Sequence, residues 1–122
     1  MSGYAFDTNI LIDALRGIEG ARTELRRAGR PWISRIVWIE IMSKGSSETL
    51  RSVESFLGGF SIDEIDSEIG NRAAALRRER PSFTLPDAVI FASALVRGRV
   101  LVTRNIKDFP ATMPGIRVPY QL

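Results

Sequence analysis

Short strand-like runs, most of them apolar, alternate along the chain with segments of helical pattern. This alternation limits the possible folds more than any other feature. The runs lie at residues 4–6, 31–34, 60–65 and 100–103, and residues 116–118 offer a fifth. Short, continuous apolar strands separated by helices are typical of a parallel sheet that is covered on both faces. We therefore predict a three-layer α/β fold with four or five strands.

The segments between the runs predict six helices. They are expected at residues 10–15, 19–28, 35–44, from a cap at 46–48 to 57, 67–80 and 87–96. Glycines follow most of these segments, as is common where a helix ends. The 122 residues contain no repeat and no long linker. The chain is of the usual size for one domain, so we predict a single domain over residues 1–122.

Two missing residue types exclude several kinds of chemistry. The chain has no cysteine and no histidine. This excludes a disulfide scaffold, the usual zinc sites, a thiol nucleophile and a Ser-His-Asp triad. Hydrolysis would then depend on carboxylates, with a hard metal ion. Neither a signal peptide nor a membrane-spanning stretch is evident, so we expect a cytoplasmic protein without membrane contact.

Acidic and amide side chains follow the predicted strands. Asp7 follows the first strand, and Asn105 and Asp108 follow the fourth. Glu40 is the only acid in an apolar helix, and Asp87 opens another. Sites in open parallel sheets form beyond the carboxyl ends of the strands. Three carboxylates and an amide that converge there, without histidine, indicate a site for Mg²⁺ or Mn²⁺.

Each acid also has a plainer interpretation. Asp7 and Asp87 are each placed to cap a helix or to stabilise its dipole. Glu40 could reach solvent at the edge of its helix. We expect Asp13 to lie on the solvated face of the first helix. The pattern of residues alone leaves these alternatives open.

Arginine supplies all but two of the 17 basic residues, which stand against 14 acidic ones. The arginines concentrate in two segments, 22–35 and 72–80. Such clusters either decorate solvated helix faces or bind an anionic partner such as nucleic acid.

Four motifs in order along the chain carry a family resemblance. They are Asp-Thr-Asn-Ile-Leu-Ile at 7–12, Ile-Ser at 33–34 followed by Glu40, Leu-Pro-Asp-Ala at 85–88, and Thr-Arg-Asn at 103–105 followed by Asp-Phe at 108–109. With these motifs the chain resembles a PIN domain, most closely the VapC-type toxin ribonucleases of prokaryotic toxin–antitoxin pairs. The resemblance covers nearly the whole sequence.

The resemblance implies a Rossmann-like parallel sheet in the order 3-2-1-4-5 and an acidic pocket for Mg²⁺ or Mn²⁺. Asp7, Glu40 and Asp87 would be its essential acids. Asn105 falls where many members of the family have a fourth acid. Since an amide carries no charge, Asp108 either supplies the missing carboxylate or only stabilises the turn.

The resemblance also implies an activity, which is metal-dependent endoribonuclease cleavage of RNA phosphodiester bonds. In this interpretation four further side chains would orient the ligands, namely Thr8, Asn9, Ser34 and Thr103. Arg104 would contact an RNA phosphate.

Three partners follow from the resemblance: an RNA substrate, a cognate antitoxin and a second copy in a homodimer. Trp32, Trp38, Ile39 and Met42 would line the antitoxin groove or the dimer face. For Ile39, as for the neighbouring Ile36, we favour packing in the core.

Other functional classes remain as alternatives. One is the same fold without catalysis, acting as a module that binds RNA or protein. A receiver-type phosphotransfer domain would need a pair of acids after strand one and a lysine near the end of the sheet. A haloacid-dehalogenase-type phosphatase would need Asp-x-Asp, whereas this chain has Asp7-Thr8-Asn9. Labelling of Asp7 by beryllofluoride would identify either phosphotransfer class.

Overall fold

One parallel sheet forms the centre of the molecule. The computed structural model describes residues 3–122. Its strands are β1 (Tyr4–Phe6), β2 (Trp32–Ser34), β3 (Ser61–Asp63), β4 (Val100–Val102) and β5 (Ile116–Arg117). They lie in the order β3-β2-β1-β4-β5, and every neighbouring pair is parallel. The predicted α/β fold and its strand order 3-2-1-4-5 are confirmed.

Six helices flank the sheet over residues 3–122. They are α1 (Thr8–Leu15), α2 (Glu19–Ala28), α3 (Arg35–Lys44), α4 (Leu50–Leu57), α5 (Ser67–Glu79) and α6 (Leu85–Arg97). The bounds of α2 and α3 agree with those predicted from the sequence. None of these helices is long and apolar enough to cross a membrane.

Three helices begin elsewhere than predicted. Helix α1 starts at Thr8, two residues early, because the Asp7 side chain caps it. Helix α4 starts at Leu50, because Ser46 and Thr49 close a turn in front of it: each backbone N–H donates to the other's hydroxyl, at 3.0 and 3.3 Å. Helix α6 starts at Leu85, two residues early, because the Thr84 hydroxyl accepts from the Asp87 amide at 3.2 Å. Proline at the following position is compatible with a first helical turn.

The central strands are buried because helices cover both sides of the sheet. Phe6, Ile33 and Leu101 are each at most 1 % exposed. Helix α3 packs on this core through Val37 and Ile41.

Ile39 lies away from the core face of α3 and is 46 % exposed. The prediction of core packing is therefore wrong for Ile39. It is confirmed for Ile36, which packs against the core.

Three phenylalanines link the segments on either side of the strand ends. Phe83 precedes α6, Phe91 lies within it, and Phe109 follows the loop after β4. Their ring centroids are 5.4 to 6.2 Å apart, a spacing typical of packed aromatic pairs. This cluster holds the start of α6 beside the end of the β4 loop, so residues predicted to be functional on both segments lie near each other.

Candidate active site

Asp7 stands where the first strand passes into the first helix. It caps α1, and its Oδ1 accepts a hydrogen bond from the Thr8 amide at 2.8 Å. Its Oδ2 accepts from the Thr103 hydroxyl at 2.7 Å and from the Asn9 side-chain amide at 3.3 Å. The residue is 4 % exposed. All of these donors are neutral, so within residues 3–122 this buried carboxylate has hydrogen bonds but no positive partner.

The pKa of Asp7 reflects this lack of positive charge. Burial raises the pKa from 3.8 to about 6, and the like charges of Asp87 and Glu40 add to the rise. The hydrogen bonds from Thr103 and Thr8 act in the opposite direction without cancelling it. Asp87 and Glu40 are therefore close enough to Asp7 to influence its charge, as the sequence predicted.

Glu40 is held near Asp7 by the side chain that follows Asp7 in the sequence. The Thr8 hydroxyl donates to Glu40 Oε1 at 2.7 Å, which joins α1 to α3. Glu40 itself is only partly buried, so the prediction that it reaches the helix edge and the prediction that it joins the site are compatible.

Ser34 stands at the start of α3, the helix that carries Glu40. Its hydroxyl caps α3 by accepting from the Ile36 amide at 3.3 Å, and it also accepts from Ser93 in α6 at 3.2 Å. Ser34 is 3 % exposed. It orients the helix that carries Glu40 rather than the Glu40 carboxylate directly.

The loop after β4 brings Asn105 and Asp108 together. The Asn105 amide side chain donates to Asp108 Oδ2 at 3.0 Å, and its backbone N–H donates to the Thr103 hydroxyl at 2.9 Å. The Asp108 amide donates to Asn105 Oδ1 at 3.4 Å. Asn105 therefore both shapes the turn and orients the Asp108 carboxylate.

Asp87 lies in the first turn of α6 and is partly buried. The capping hydrogen bond of this helix comes from Thr84, so the Asp87 side chain is not the cap. Over residues 3–122 the Asp87 carboxylate forms no ion pair and accepts no hydrogen bond. This carboxylate is free to bind a ligand.

The donors at this site are oxygen atoms, the ligands that Mg²⁺ and Mn²⁺ prefer. None of Asp7, Glu40, Asp87 and Asp108 forms an ion pair within the described chain. No three acidic side chains of residues 3–122 are gathered closely enough to hold an ion. The oxygen donors therefore suit a hard divalent cation. The carboxylates themselves do not stand as close together as ligands around a bound ion.

Comparison with known proteins decides the family. The family model described as PIN domain matches residues 4–112. The chain belongs to the PIN domain family. A comparison with curated proteins gave no match.

Solved structures agree with the family and with the VapC-type resemblance. A chain of a toxin–antitoxin complex from Klebsiella pneumoniae is 38% identical to this PIN domain, with a TM-score of 0.90; the match covers 98% of this chain and 99% of that one. A chain of DNA-bound VapBC from Salmonella typhimurium is 26% identical, with a TM-score of 0.78 and coverage of 99% and 98%. A chain of promoter-bound VapBC2 from Rickettsia felis shares the fold. It is 24% identical, with a TM-score of 0.78, and the match covers 98% of each chain.

The structure of this PIN domain corrects one prediction beside the site. Asp13, expected on the solvated face of α1, is 2 % exposed. Its carboxylate accepts two hydrogen bonds from the Arg104 guanidinium, at 2.6 and 3.0 Å, and one from the Tyr120 hydroxyl at 2.6 Å. Burial raises the pKa of Asp13, but these hydrogen bonds outweigh it and hold the pKa below its ordinary value.

This arrangement also bears on Arg104, whose phosphate contact stays a prediction. Its guanidinium is engaged by Asp13, and its backbone N–H donates to Asn9 Oδ1 at 3.1 Å. Sequence reasoning missed Tyr120 entirely, because it lies 107 residues from Asp13 and no local pattern connects the two. One indirect sign of where Tyr120 packs is the glycine at position 20, because an added Cβ there would lie 3.1 Å from the Tyr120 ring.

Proposed function

We propose that this PIN domain is a divalent-metal-dependent endoribonuclease, the toxin of a toxin–antitoxin pair. The observation that carries the proposal is Asp7, a buried carboxylate with a pKa of about 6 that has two acidic neighbours and forms no ion pair with any described residue. Like charges gathered in this way favour a bound cation. The relatives support the biological setting, because they are chains of toxin–antitoxin complexes.

Asp7, Glu40 and Asp87 are the proposed ligands of Mg²⁺ or Mn²⁺. When bound, the ion supplies Lewis-acid chemistry, since it acidifies water and neutralises charge on phosphate oxygens. We assign the fourth carboxylate to Asp108 and not to Asn105. The support is that Asp108 carries the charge that Asn105 lacks, and that the Asn105 amide donates to its Oδ2 while its Oδ1 accepts no hydrogen bond from residues 3–122.

Neutral residues of the chain hold these acids in place. Thr8 orients two of them, through its amide on Asp7 and its hydroxyl on Glu40. Thr103 donates to Asp7 and accepts from the Asn105 backbone, so one hydroxyl joins the first strand to the loop after β4. Partners of this kind fix ligand orientation and strengthen metal binding.

The RNA surface is proposed at the second arginine cluster. Within 22–35, three arginines already pair with acids: Arg26 with Glu19, Arg27 with Glu24 and Arg35 with Glu64. On α5, by contrast, Arg72 and Arg78 are exposed and form no ion pair within residues 3–122.

The carboxyl-terminal end of α5 also lies beside the helix that carries Asp87. Arg77 donates to the Phe83 carbonyl at 3.3 Å, close to the start of α6. Cations at this edge would bind phosphates without reading sequence.

The antitoxin is proposed to occupy two neighbouring apolar cavities. One of about 430 Å³ lies between α1, α3 and α4, and a second of about 310 Å³ lies between α1, α2 and α4. Leu15 borders both and is 44 % exposed. Arg16, Lys44, Arg22 and Arg26 are also among the lining residues. A segment with apolar anchors and acidic flanks suits this surface. Neither cavity is bordered by the residues predicted to line the antitoxin groove or the dimer face, which are Trp32, Trp38, Ile39 and Met42.

A homodimer is proposed through the exposed side of α3. Ile39 is the large apolar residue that this helix leaves uncovered. We expect Ile39→Asp to shift the protein towards monomer in light scattering, with Ile106→Asp as the matched control because Ile106 is similarly exposed. Identical masses for both variants and the wild type would contradict a dimer through α3.

The test of the nuclease is cleavage of a mixed transfer and ribosomal RNA pool by the purified full chain with Mg²⁺ or Mn²⁺. EDTA and the variants Asp7→Asn and Glu40→Gln should each abolish cutting, while circular dichroism shows that the fold is intact. Glu54→Gln, on the exposed side of α4, is the matched control and should cut like the wild type.

Cutting that survives in EDTA or in Asp7→Asn would contradict the proposed site. A folded, metal-saturated wild type that binds RNA without cutting it would favour the binding module instead.

A further inference from the structure

We infer that Asp13, Arg104 and Tyr120 form a positioning network that holds the loop after β4, which carries Asp108, against Asp7 and α1 and so supports metal binding. The inference rests on the proposed function, because it concerns the same acids. All three residues act through others and are positioning residues. No feature of the sequence assigned them this role.

Consecutive residues of the loop form hydrogen bonds to Asp7, to α1 and to Asp108 within the loop. The Thr103 hydroxyl donates to Asp7 Oδ2, and the Arg104 backbone N–H donates to Asn9 Oδ1. Asn105 then donates to Asp108 Oδ2. The position of Asp108 therefore depends on how the backbone at residues 103–105 lies against α1.

The Arg104 side chain also ties that backbone to α1, through Asp13. Its Nε and one terminal nitrogen donate to the two oxygens of Asp13, at 2.6 and 3.0 Å. Two parallel hydrogen bonds define an orientation as well as a distance. Lysine carries the same charge but has no planar fork, so it cannot reproduce this geometry.

Tyr120 completes the network from the carboxyl-terminal segment. Its hydroxyl donates to Asp13 Oδ2 at 2.6 Å, so Asp13 is held by two residues that follow different strands. Its ring lies against Gly20 in α2, where a Cβ would come within 3.1 Å. The absence of a side chain at Gly20 lets the ring approach closely enough for the hydroxyl to reach Asp13.

The expected consequence concerns metal affinity. A ligand site tolerates only about half an ångström of displacement, so a loop that is less firmly held binds the ion less well. Residues that orient ligands typically change metal affinity by about 10- to 100-fold when they are replaced.

The experiment compares two lysine substitutions in the purified full chain without RNA. Arg104→Lys breaks the fork on Asp13. Arg117→Lys breaks a similar fork on Glu24, at 2.7 and 3.1 Å, which joins β5 to α2. The two arginine side chains are comparably exposed, 27% and 36%. Mn²⁺ affinity is measured by titration calorimetry and thermal stability by circular dichroism.

We expect both variants to lose similar stability, while only Arg104→Lys binds Mn²⁺ more weakly, by about tenfold or more. Tyr120→Phe should weaken Mn²⁺ binding in the same direction but less. In RNA cleavage, the Mn²⁺ concentration for half-maximal rate should rise for Arg104→Lys, and kcat should recover at saturating Mn²⁺.

Three outcomes would overturn the inference, and they are distinguishable. Equal Mn²⁺ affinity in Arg104→Lys and Arg117→Lys would overturn it alone. Unchanged Mn²⁺ affinity with a raised KM for RNA would replace it with the phosphate contact predicted for Arg104. A folded wild type that binds no Mn²⁺ would overturn the proposed function and this inference together.

Discussion

The two ends of α1 each carry a nearly buried carboxylate, and the protein treats them in opposite ways. At the amino-terminal end, Asp7 has neutral donors and acidic neighbours, and burial raises its pKa to about 6. Near the other end, Asp13 is equally inaccessible, but hydrogen bonds from Arg104 and Tyr120 outweigh its burial and lower its pKa. Among residues 3–122 the fold therefore pairs one acid with a cation and leaves the other without one.

This difference separates a structural acid, Asp13, from the proposed ligand, Asp7. A buried charge that is paired within the chain contributes to the folded structure and has no need of a further partner. A buried charge that lacks a cation is costly until one arrives from solution. The opposite environments of Asp7 and Asp13 therefore support the proposal that Asp7 binds the ion. They do so more clearly than the position of either acid in the sequence does.

The largest effect on stability is expected from removing the charge of Asp13. Asp13→Asn leaves Arg104 without its partner, so the free energy of unfolding should fall by about 3 kcal/mol, the lower end for a buried pair because Arg104 is partly exposed. Urea unfolding measures it. Glu19→Gln, which breaks an exposed pair with Arg26, should cost less than about 1 kcal/mol. Equal losses in both variants would remove the distinction drawn here.

Removing the charge of Asp7 should have the opposite sign. The folded-state pKa of Asp7 lies above its ordinary 3.8, so the charged form penalises folding fully above about pH 6 and not at all below about pH 4. In EDTA at pH 7.5, Asp7→Asn should therefore stabilise the protein, by at most about 3 kcal/mol. The gain should shrink at pH 5, and a loss of stability at pH 7.5 would show that the hydrogen bonds of Asp7 outweigh its charge.

The pH dependence of Mn²⁺ affinity should also distinguish Asp7 from Asp13. An ion has to displace the proton of Asp7, so Mn²⁺ affinity should fall by up to about tenfold for each pH unit below 6 and level off above it. Calorimetry in buffers of different ionisation enthalpy counts the protons released. The pKa of Asp13 is lowered, so Asp13 should contribute none, and a smaller proton release in Asp13→Asn than in the wild type would contradict its assignment.

The smallest effect is expected from Tyr120→Phe. This change removes one hydrogen bond to Asp13 and keeps both bonds from Arg104, so it should cost about 1 kcal/mol. Tyr4→Phe is a suitable control for the loss of a tyrosine hydroxyl elsewhere in the molecule. Identical urea midpoints for Tyr120→Phe and the wild type would show that Arg104 alone holds Asp13.

The fold was accessible from sequence because its signals are local. Apolar runs and helix ends located the strands and most helix bounds, and the interpretation of Asp7 as a helix cap is confirmed. The start of α4 was missed because Ser46 and Thr49 bond to each other instead of opening the helix. A pattern of capping residues does not distinguish the two arrangements.

The environment of Asp13 was not accessible, for a different reason. Its spacing on a short helix suggested a solvated face, but Arg104 and Tyr120 arrive from 91 and 107 residues away and cover it. The prediction for Ile39 was wrong in the opposite direction, since this apolar residue of an apolar helix faces solvent. Burial of single positions depends on what packs on them, and that information lies elsewhere in the chain.

The pairing of the first strand with β4 has a consequence for the order in which the protein is made. Tyr4, Ala5 and Phe6 lie in register with Val100, Leu101 and Val102, and the hydroxyl on Asp7 Oδ2 belongs to the next residue, Thr103. The ribosome makes the chain from its amino terminus at about 5–20 residues per second. Thr103 is made 96 residues after Asp7, so Asp7 receives this partner long after it is itself translated. A nascent chain that has not yet reached β4 and Thr103 cannot assemble the acidic site, so any activity of this site begins only after that segment has been made.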